Sequence, residues 1–360
     1  MTTLSVEQWR RIGLAIFTAA GANQVNAERV TESLIDASLV GHDSHGVNRM
    51  IQYMQAIEKG HLRPKAQPEM VRQTNTTVLI DGKWTFGQVS GHLAMMQAME
   101  RAKQQGIAIA GLIHAYHIGR LGEYSEAAYR QGFVSMVLTG GFEGIGGASH
   151  KTGVAPYGGT RPAFGTNPIS FGAPAGDKPG VLLDFATSAV AGGKVSMAKA
   201  KGIPLPPESI LDKDGNPTTN AEDFYAGGML LPFGSHKGYG LAVIIELLGQ
   251  ALTGADLCHD EPLGGGLYTR TGSIFVAIDP GIFRPHSGFE TAAADFLDRL
   301  KGIPAAPGFK EVLIPGEPEQ RSRSLRVNDG ISLPDVQWQL LEQQAKKIGI
   351  DLVALAAEPH

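Results

Sequence analysis

The chain has one cysteine, Cys258, in 360 residues, so no internal disulfide can form and a reducing compartment is expected. It has no Lys/Arg cluster interleaved with aromatics, and a formal net charge of -4 excludes general attraction to nucleic acid. Long apolar runs are missing too. The longest, Leu241–Leu248, is interrupted by Glu246 and falls far short of a membrane span. The opening residues Met1–Ser5 carry neither a basic flank nor an apolar stretch, so no secretory leader is expected and a cytoplasmic location is. Charged residues make up only 18% and hydrophobic ones 42%, which excludes disorder and supplies a sizeable core. At this length two domains are expected, or one large domain with a helical annex.

Glycine is what the chain has in excess. The 47 glycines in 360 residues cluster in a few loops with no period, which excludes a repeat architecture and lets backbone amides approach a ligand closely.

Periodicity divides the chain. Three helices are predicted before residue 60: one opened by a capping box, Ser5-x-x-Gln8, and ended by Gly21; a second capped by Asn26; a third running from the Ser44 region to Gly60. From about residue 75 strands and helices alternate. Strands are expected at Thr77–Asp81, Ile107–Ile113, Phe133–Leu138, Ile169–Phe171, Val181–Phe185 and Ile274–Ile278. Helices are expected at Leu93–Gln105, Leu121–Arg130, Ala292–Lys301 and Asp335–Lys347. Leu241–Leu252, apolar almost all round, reads as a central buried helix.

Five segments could carry chemistry. In Asp43-Ser44-His45-Gly46-Val47-Asn48-Arg49, Arg49 points away from the apolar stripe Val47, Met50, Ile51, Met54 and Ile57. His45 would lie one turn back on the same side. An acid/base group beside a guanidinium suits a small carboxylic acid. His114–Arg120 joins a strand to a helix, a corner that exposes His117 and Arg120. The glycine-rich stretch Gly140–Gly147, running on to Lys151, lacks both the G-x-G-x-x-G and the P-loop spacing, so a loop over a ligand is the reading left. Asp184 interrupts an apolar strand and needs a partner, either His45 or a loop it caps; Gly165-Thr166-Asn167-Pro168 enters a strand. His236-Lys237 among glycines at a helix start would suit a phosphate. Asp212–Pro217 lacks the later glutamate of a calcium loop and reads as a turn. His42/His45 and His114/His117 have i, i+3 spacing, but without H-E-x-x-H and with one cysteine no metal is expected.

In order and wording, these segments resemble the malate/L-lactate dehydrogenase family of non-Rossmann NAD(P)-dependent oxidoreductases. The matches run from Asp43–Arg49 through His117-Ile118-Gly119, Ala155–Gly159, Gly165–Pro168, Leu183–Ser188 and His236–Gly240 to Ile314–Glu317. The resemblance implies an α/β (α+β) fold: a helical domain built from both chain ends, residues 1–72 with about 320–360, and a body at 73–319 with a mixed, largely antiparallel sheet that binds the dinucleotide. It implies a homodimer, NAD or NADP as cofactor, and hydride transfer at C2 of a small 2-hydroxy or 2-oxo acid. Reduction of a cyclic imino acid or of a sugar-derived 2-oxo acid is the alternative within the family. By the same resemblance Ser44, His45 and Asp184 match a proton relay with His45 as acid/base, although some relatives give that role to the histidine matching His117. Arg49 matches a carboxylate contact. His117, Gly119, Arg120, Leu121, Thr166, Asn167, Pro168, His236, Lys237, Pro315, Gly316 and Glu317 match cofactor contacts. Ile118 stands where phenylalanine is frequent, and Pro318 where arginine is common. A metal-dependent hydrolase and a non-catalytic nucleotide-binding protein are the rivals from other classes.

Overall fold

The computed structural model describes residues 1–141, 153–260 and 262–357; most of the glycine-rich stretch expected to cover a ligand lies outside them. A short strand, β1 (Thr2–Leu4), precedes three helices, α1 (Val6–Ala19), α2 (Gln24–Leu39) and α3 (Arg49–Glu58). Ser5 Oγ accepts from the Gln8 N–H at 3.2 Å and Gln8 Oε1 accepts from the Ser5 N–H at 2.7 Å, the reciprocal cap read in the sequence. Asn23, not Asn26, caps α2, its Oδ1 accepting the Asn26 N–H at 2.9 Å. Asn26 is fully buried and donates its amide to Pro64 O at 2.8 Å and Ala66 O at 3.0 Å, holding the connection that follows α3.

The body follows in the order β2 (Glu69–Gln73), β3 (Thr77–Asp81), α4 (Gly87–Gln105), β4 (Ile107–Ile113), α5 (Gly122–Tyr129), β5 (Val134–Gly140), β6 (Ile169–Ala175), β7 (Lys178–Phe185) and α6 (Gly192–Lys201). A small sheet comes next, β8 (Ile210–Leu211), β9 (Pro217–Thr218) and, beyond α7 (Ala221–Tyr225), β10 (Met229–Leu230). The β8–β9 turn is the Asp212–Pro217 segment, where Asp212 Oδ1 accepts the Asp214 and Asn216 N–H groups, each at 2.9 Å. Then come α8 (His236–Glu246), β11 (Gly272–Ile278), α9 (His286–Lys301), α10 (Glu317–Asp329), β12 (Ile331–Leu333), α11 (Asp335–Lys347) and α12 (Leu352–Ala357).

Seven strands form one sheet in the order β2-β3-β4-β11-β5-β6-β7. Only β3 and β4 run parallel, joined by the α4 crossover; the other pairings are antiparallel, so the sheet is mixed and largely antiparallel. An apolar cluster joins the two chain ends: Trp9, Ile12, Leu34 and Tyr53 pack with Ile331, Leu341 and Leu352. Trp9 Nε1 also donates to Ile331 O at 3.0 Å. Phe86, Val89 and Tyr116 from the body enter the same cluster and key it to the helical unit.

Two expectations fail in ways that matter. Leu241–Leu252 is not buried all round. Ile245 and Gly249 pack on the sheet, but Ile244, Leu247 and Leu252 are 51%, 54% and 67% exposed, because the sheet covers one flank only. The third helix does not start at Ser44. A tight turn, Asp43–His45, is followed by extended Gly46, and α3 begins at Arg49. A Cβ on Gly46 would overlap Ser38 Oγ, the atom that accepts the Val47 N–H at 3.0 Å. Arg326 of α10 pairs with Asp43 and secures the turn from outside.

Gly46→Ala should cost about 1–3 kcal/mol in denaturant unfolding, the range for forced overpacking, and Ser38→Ala should recover part of it. A neutral Gly46→Ala would show that the break does not depend on the bare glycine.

Candidate active site

Parallel pairing of β3 and β4 brings their carboxyl ends together, so the segments that leave them run side by side: Gly82 N–H donates to Ile113 O at 2.8 Å and Trp84 N–H to His114 O at 2.7 Å. The break before α3 faces this edge. There the His45 and His117 rings stack, centroids 5.3 Å apart and planes 26° off parallel. The two histidines read separately in the sequence thus form one pair.

Each ring has a distinct holder. Ser44 Oγ lies 3.0 Å from His45 Nδ1. Tyr53 Oη lies 2.7 Å from His117 Nδ1, and Gln88 Nε2 donates to the same Oη at 2.6 Å. A phenol that accepts from Gln88 has its one proton left for His117 Nδ1, which makes Nδ1 the acceptor and leaves a proton on Nε2. Gly119, at a φ of +78°, runs close under Gln88; a side chain there would meet Nε2 at 3.1 Å.

Arg49 does not sit one helical turn from His45; it lies across the break and reaches back. Its Nε donates to Ser44 O at 2.5 Å and its Nη1 to Gln52 Oε1. Gln52 Nε2 in turn reaches Tyr116 Oη at 3.3 Å and Tyr268 Oη at 3.5 Å. Tyr268 packs against Tyr116 and His117, with centroids 4.8 and 5.7 Å apart, and closes that side. Burial lowers the His45 pKa to about 3, with the nearby Arg49 charge the next cause. Burial and then Arg49 likewise hold His117 well below its ordinary range. Both rings are therefore neutral near pH 7, beside a guanidinium with no carboxylate partner among the described residues.

Asp184 does not join His45. Its Oδ2 accepts the Gly122 N–H at 2.7 Å beside Arg120, and burial pushes its carboxyl up. Arg120 is 2% exposed and donates to Asp36 Oδ2 at 2.8 Å and Glu126 Oε2 at 3.2 Å, carboxylates it shares with Arg323 of α10. Its Nη2 thereby ties α2 to α5 and, through the shared carboxylates, to α10, while the turn it opens is the one the resemblance assigns to the cofactor. Leu121 is buried at the start of α5. Asn167 is also turned inward, donating to Ala242 O at 3.1 Å and Glu246 Oε2 at 2.7 Å.

The remaining candidates flank the end of β7. Thr187 N–H donates to Thr166 O and Phe233 N–H to Thr187 O, both at 2.9 Å, which lays the Thr166–Pro168 turn beside the one leading to His236. Leu182 N–H donates to Pro315 O at 3.1 Å, setting Pro315, Gly316 and Glu317 along the β7 edge; Glu317 itself accepts from Lys301 and the Ile314 N–H, both at 3.0 Å. Gly193, opening α6, stands against Ser44 and connects this edge to the histidines. His236 and Lys237 are exposed in the first turn of the 11-residue α8. A lysine at a helix N-terminus fits a nucleotide phosphate. The sequence reading missed Gln52, Tyr53, Gln88 and Tyr268. Tyr53 sits within the apolar stripe of α3, and Gln88 and Tyr268 carry no motif, so only folding identifies them.

The profile of the malate/L-lactate dehydrogenase family matches residues 4–342. The chain is 37% identical over 351 residues to hydroxycarboxylate dehydrogenase B of Escherichia coli (strain K12), covering 95% of this chain and 93% of that protein. It is similar in structure to the sulfolactate dehydrogenase of Methanocaldococcus jannaschii, with a TM-score of 0.88 at 32% identity over 98% of this chain and 99% of that one. It is also similar to the delta1-piperideine-2-carboxylate reductase of Pseudomonas syringae pvar. tomato, with a TM-score of 0.83 at 29% identity over 96% and 100% of the two chains.

A histidine held neutral in the fold destabilises the protein on acidification: the unfolded chain binds the proton from its ordinary value of 6.5 downward, the folded chain only near 3. The stability from His45 is full above pH 6.5 and falls as the pH drops through that window. Between pH 7 and 4, the wild type should lose on the order of 2 kcal/mol more than His45→Gln in urea unfolding, after discounting for the ring's partial exposure. Equal losses would contradict a neutral His45.

Proposed function

The chain belongs to the malate/L-lactate dehydrogenase family, and on that premise we propose that it transfers hydride between a nicotinamide cofactor, NAD or NADP, and C2 of a small 2-hydroxy or 2-oxo carboxylic acid. Family membership displaces the hydrolase and the non-catalytic readings. The observation that carries the proposal is the stacked pair His45/His117 beside a guanidinium with no carboxylate partner among the described residues.

The bound nicotinamide supplies or accepts the hydride. Arg49 grips the substrate carboxylate, and its anchorage on Ser44 O and Gln52 sets the plane of that grip. His117 Nε2 gives its proton to the C2 oxygen as the carbonyl is reduced and takes it back on oxidation. What supports His117 over His45, the residue read as acid/base from the sequence, is the Gln88–Tyr53 chain that fixes its tautomer. The Ser44–His45 pair lacks the Asp184 carboxylate that would complete its relay. Burial is the main cause of the neutral imidazoles and the Arg49 charge the second; a substrate carboxylate on Arg49 offsets that second cause, so their proton affinity rises when substrate is bound. Tyr116 and Tyr268 exclude water from this end.

A second reading, reduction of a cyclic imino acid, uses the same carboxylate grip and is supported by the likeness to the piperideine-carboxylate reductase. The exposed apolar flank formed by Ile244, Leu247 and Leu252 supports a homodimer. The single cysteine accords with the cytoplasm.

A spectrophotometric screen of 2-oxo acids and cyclic imines with NADH and NADPH tests the reaction; no turnover with any of them would refute it. His117→Ala should lower kcat about 10²-fold or more while NAD(P)H binding persists, and near-normal turnover would return the role to His45. Arg49→Lys should raise KM about 10-fold or more, with a smaller change in kcat. Leu247→Glu should shift the protein from dimer to monomer in light scattering, and an unchanged mass would move the interface elsewhere.

A further inference from the structure

A second cluster of chemistry-bearing side chains lies against Trp84, around His114, three residues before His117. We propose that His114, Cys258 and Asp260 bind one late first-row divalent cation, Zn2+ being the best match, and that this cation pins the segment carrying Tyr268 to the end of β4. The claim concerns binding and does not depend on the hydride reaction.

The three donor atoms come from two distant segments and all lie within 4.8 Å of one another. Donors around tetrahedral zinc stand about 3.5 Å apart, so closure needs side-chain movement of only about 1 Å along the longest edge. A thiolate and an imidazole select zinc-like ions over magnesium or calcium, and one thiolate plus one carboxylate neutralise a divalent charge.

The surroundings are those of a metal centre. Asp81 Oδ1 lies 3.1 Å from His114 Nδ1, the outer carboxylate contact that orients a ligating imidazole and leaves its Nε2 for the ion. His114 holds a φ of +50°, a backbone conformation costly for a side-chain-bearing residue and common where a site over-determines it. Trp84, 2% exposed, walls the cluster: its Nε1 donates to Asp260 Oδ2 at 3.4 Å and its ring lies 5.4 Å from that of His114.

The cation would act at a distance on the active site. The segment from Cys258 to Tyr268 ends on the ring that packs against Tyr116 and His117. Fixing its start limits how far that ring can move. This departs from the expectation of a metal-free protein, which rested on motif spacing along the sequence; the cluster is assembled by folding.

The test uses the full-length protein stripped with chelator, desalted and titrated with Zn2+ or Co2+, with metal content read by mass spectrometry. One equivalent should bind per chain, and Co2+ should give a near-ultraviolet thiolate charge-transfer band. Cys258→Ser should abolish the band, and Asp81→Asn should weaken Zn2+ binding about 10-fold or more. Absence of stoichiometric uptake by the wild type overturns the proposal, as does uptake that survives Cys258→Ser, which would mark surface histidines. Should Cys258→Ser misfold by circular dichroism, the wild-type Co2+ spectrum decides alone: a thiolate band supports the site and its absence refutes it.

Discussion

The structure depends on a steric exclusion between two small residues. Ser38 Oγ occupies the space a side chain at position 46 would need, and it accepts the Val47 N–H released by the break. With the chain extended at Gly46, the turn Asp43–His45 and the helix from Arg49 meet at an angle instead of continuing as one rod. Continuous helix would have put His45 and Arg49 in a row along one face. The break lets Arg49 reach back to the Ser44 carbonyl while His45 faces His117, so the guanidinium and both imidazoles lie together.

That point has an electrostatic character the individual residues do not suggest. A guanidinium stands beside two half-buried imidazoles, and the acids of neighbouring elements belong to other networks: Asp184 with Gly122 and Arg120, and Asp36 and Glu126 with Arg120 and Arg323. No carboxylate among the described residues pairs with Arg49, which is what the proposed grip on a substrate carboxylate requires. Burial first, and then the Arg49 charge, keeps both histidines neutral, and a neutral imidazole with a fixed Nε2 proton suits a carbonyl oxygen better than an imidazolium whose charge must be solvated.

Much of this was legible wherever the determining interaction is local. Thr77–Asp81, Ile107–Ile113 and Asp335–Lys347 appear as read, because alternation or a helical stripe is bounded there by turn residues. Ser5 and Gln8 cap each other within four residues. The ordered motifs identified the family, and with it the kind of sheet. What could not be read is non-local. Insertion of β11 between β4 and β5 is a pairing choice across the chain. Helix α10 has no apolar stripe and is held by Arg323 and Arg326 against acids hundreds of residues earlier. That Arg120 also ties Asp36 to Glu126 from inside the fold is equally non-local. Tyr53 passes for a core aromatic because its ring is one, while its hydroxyl holds His117.

The central claim is that burial and Arg49 keep His117 neutral while Tyr53, bonded to Nδ1, leaves its proton on Nε2. Long-range proton–nitrogen NMR of the ligand-free protein labelled at histidine reads both properties at once. The account predicts a neutral His117 at pH 7 with bare Nδ1 and protonated Nε2. An imidazolium, or a neutral ring protonated on Nδ1, would contradict it.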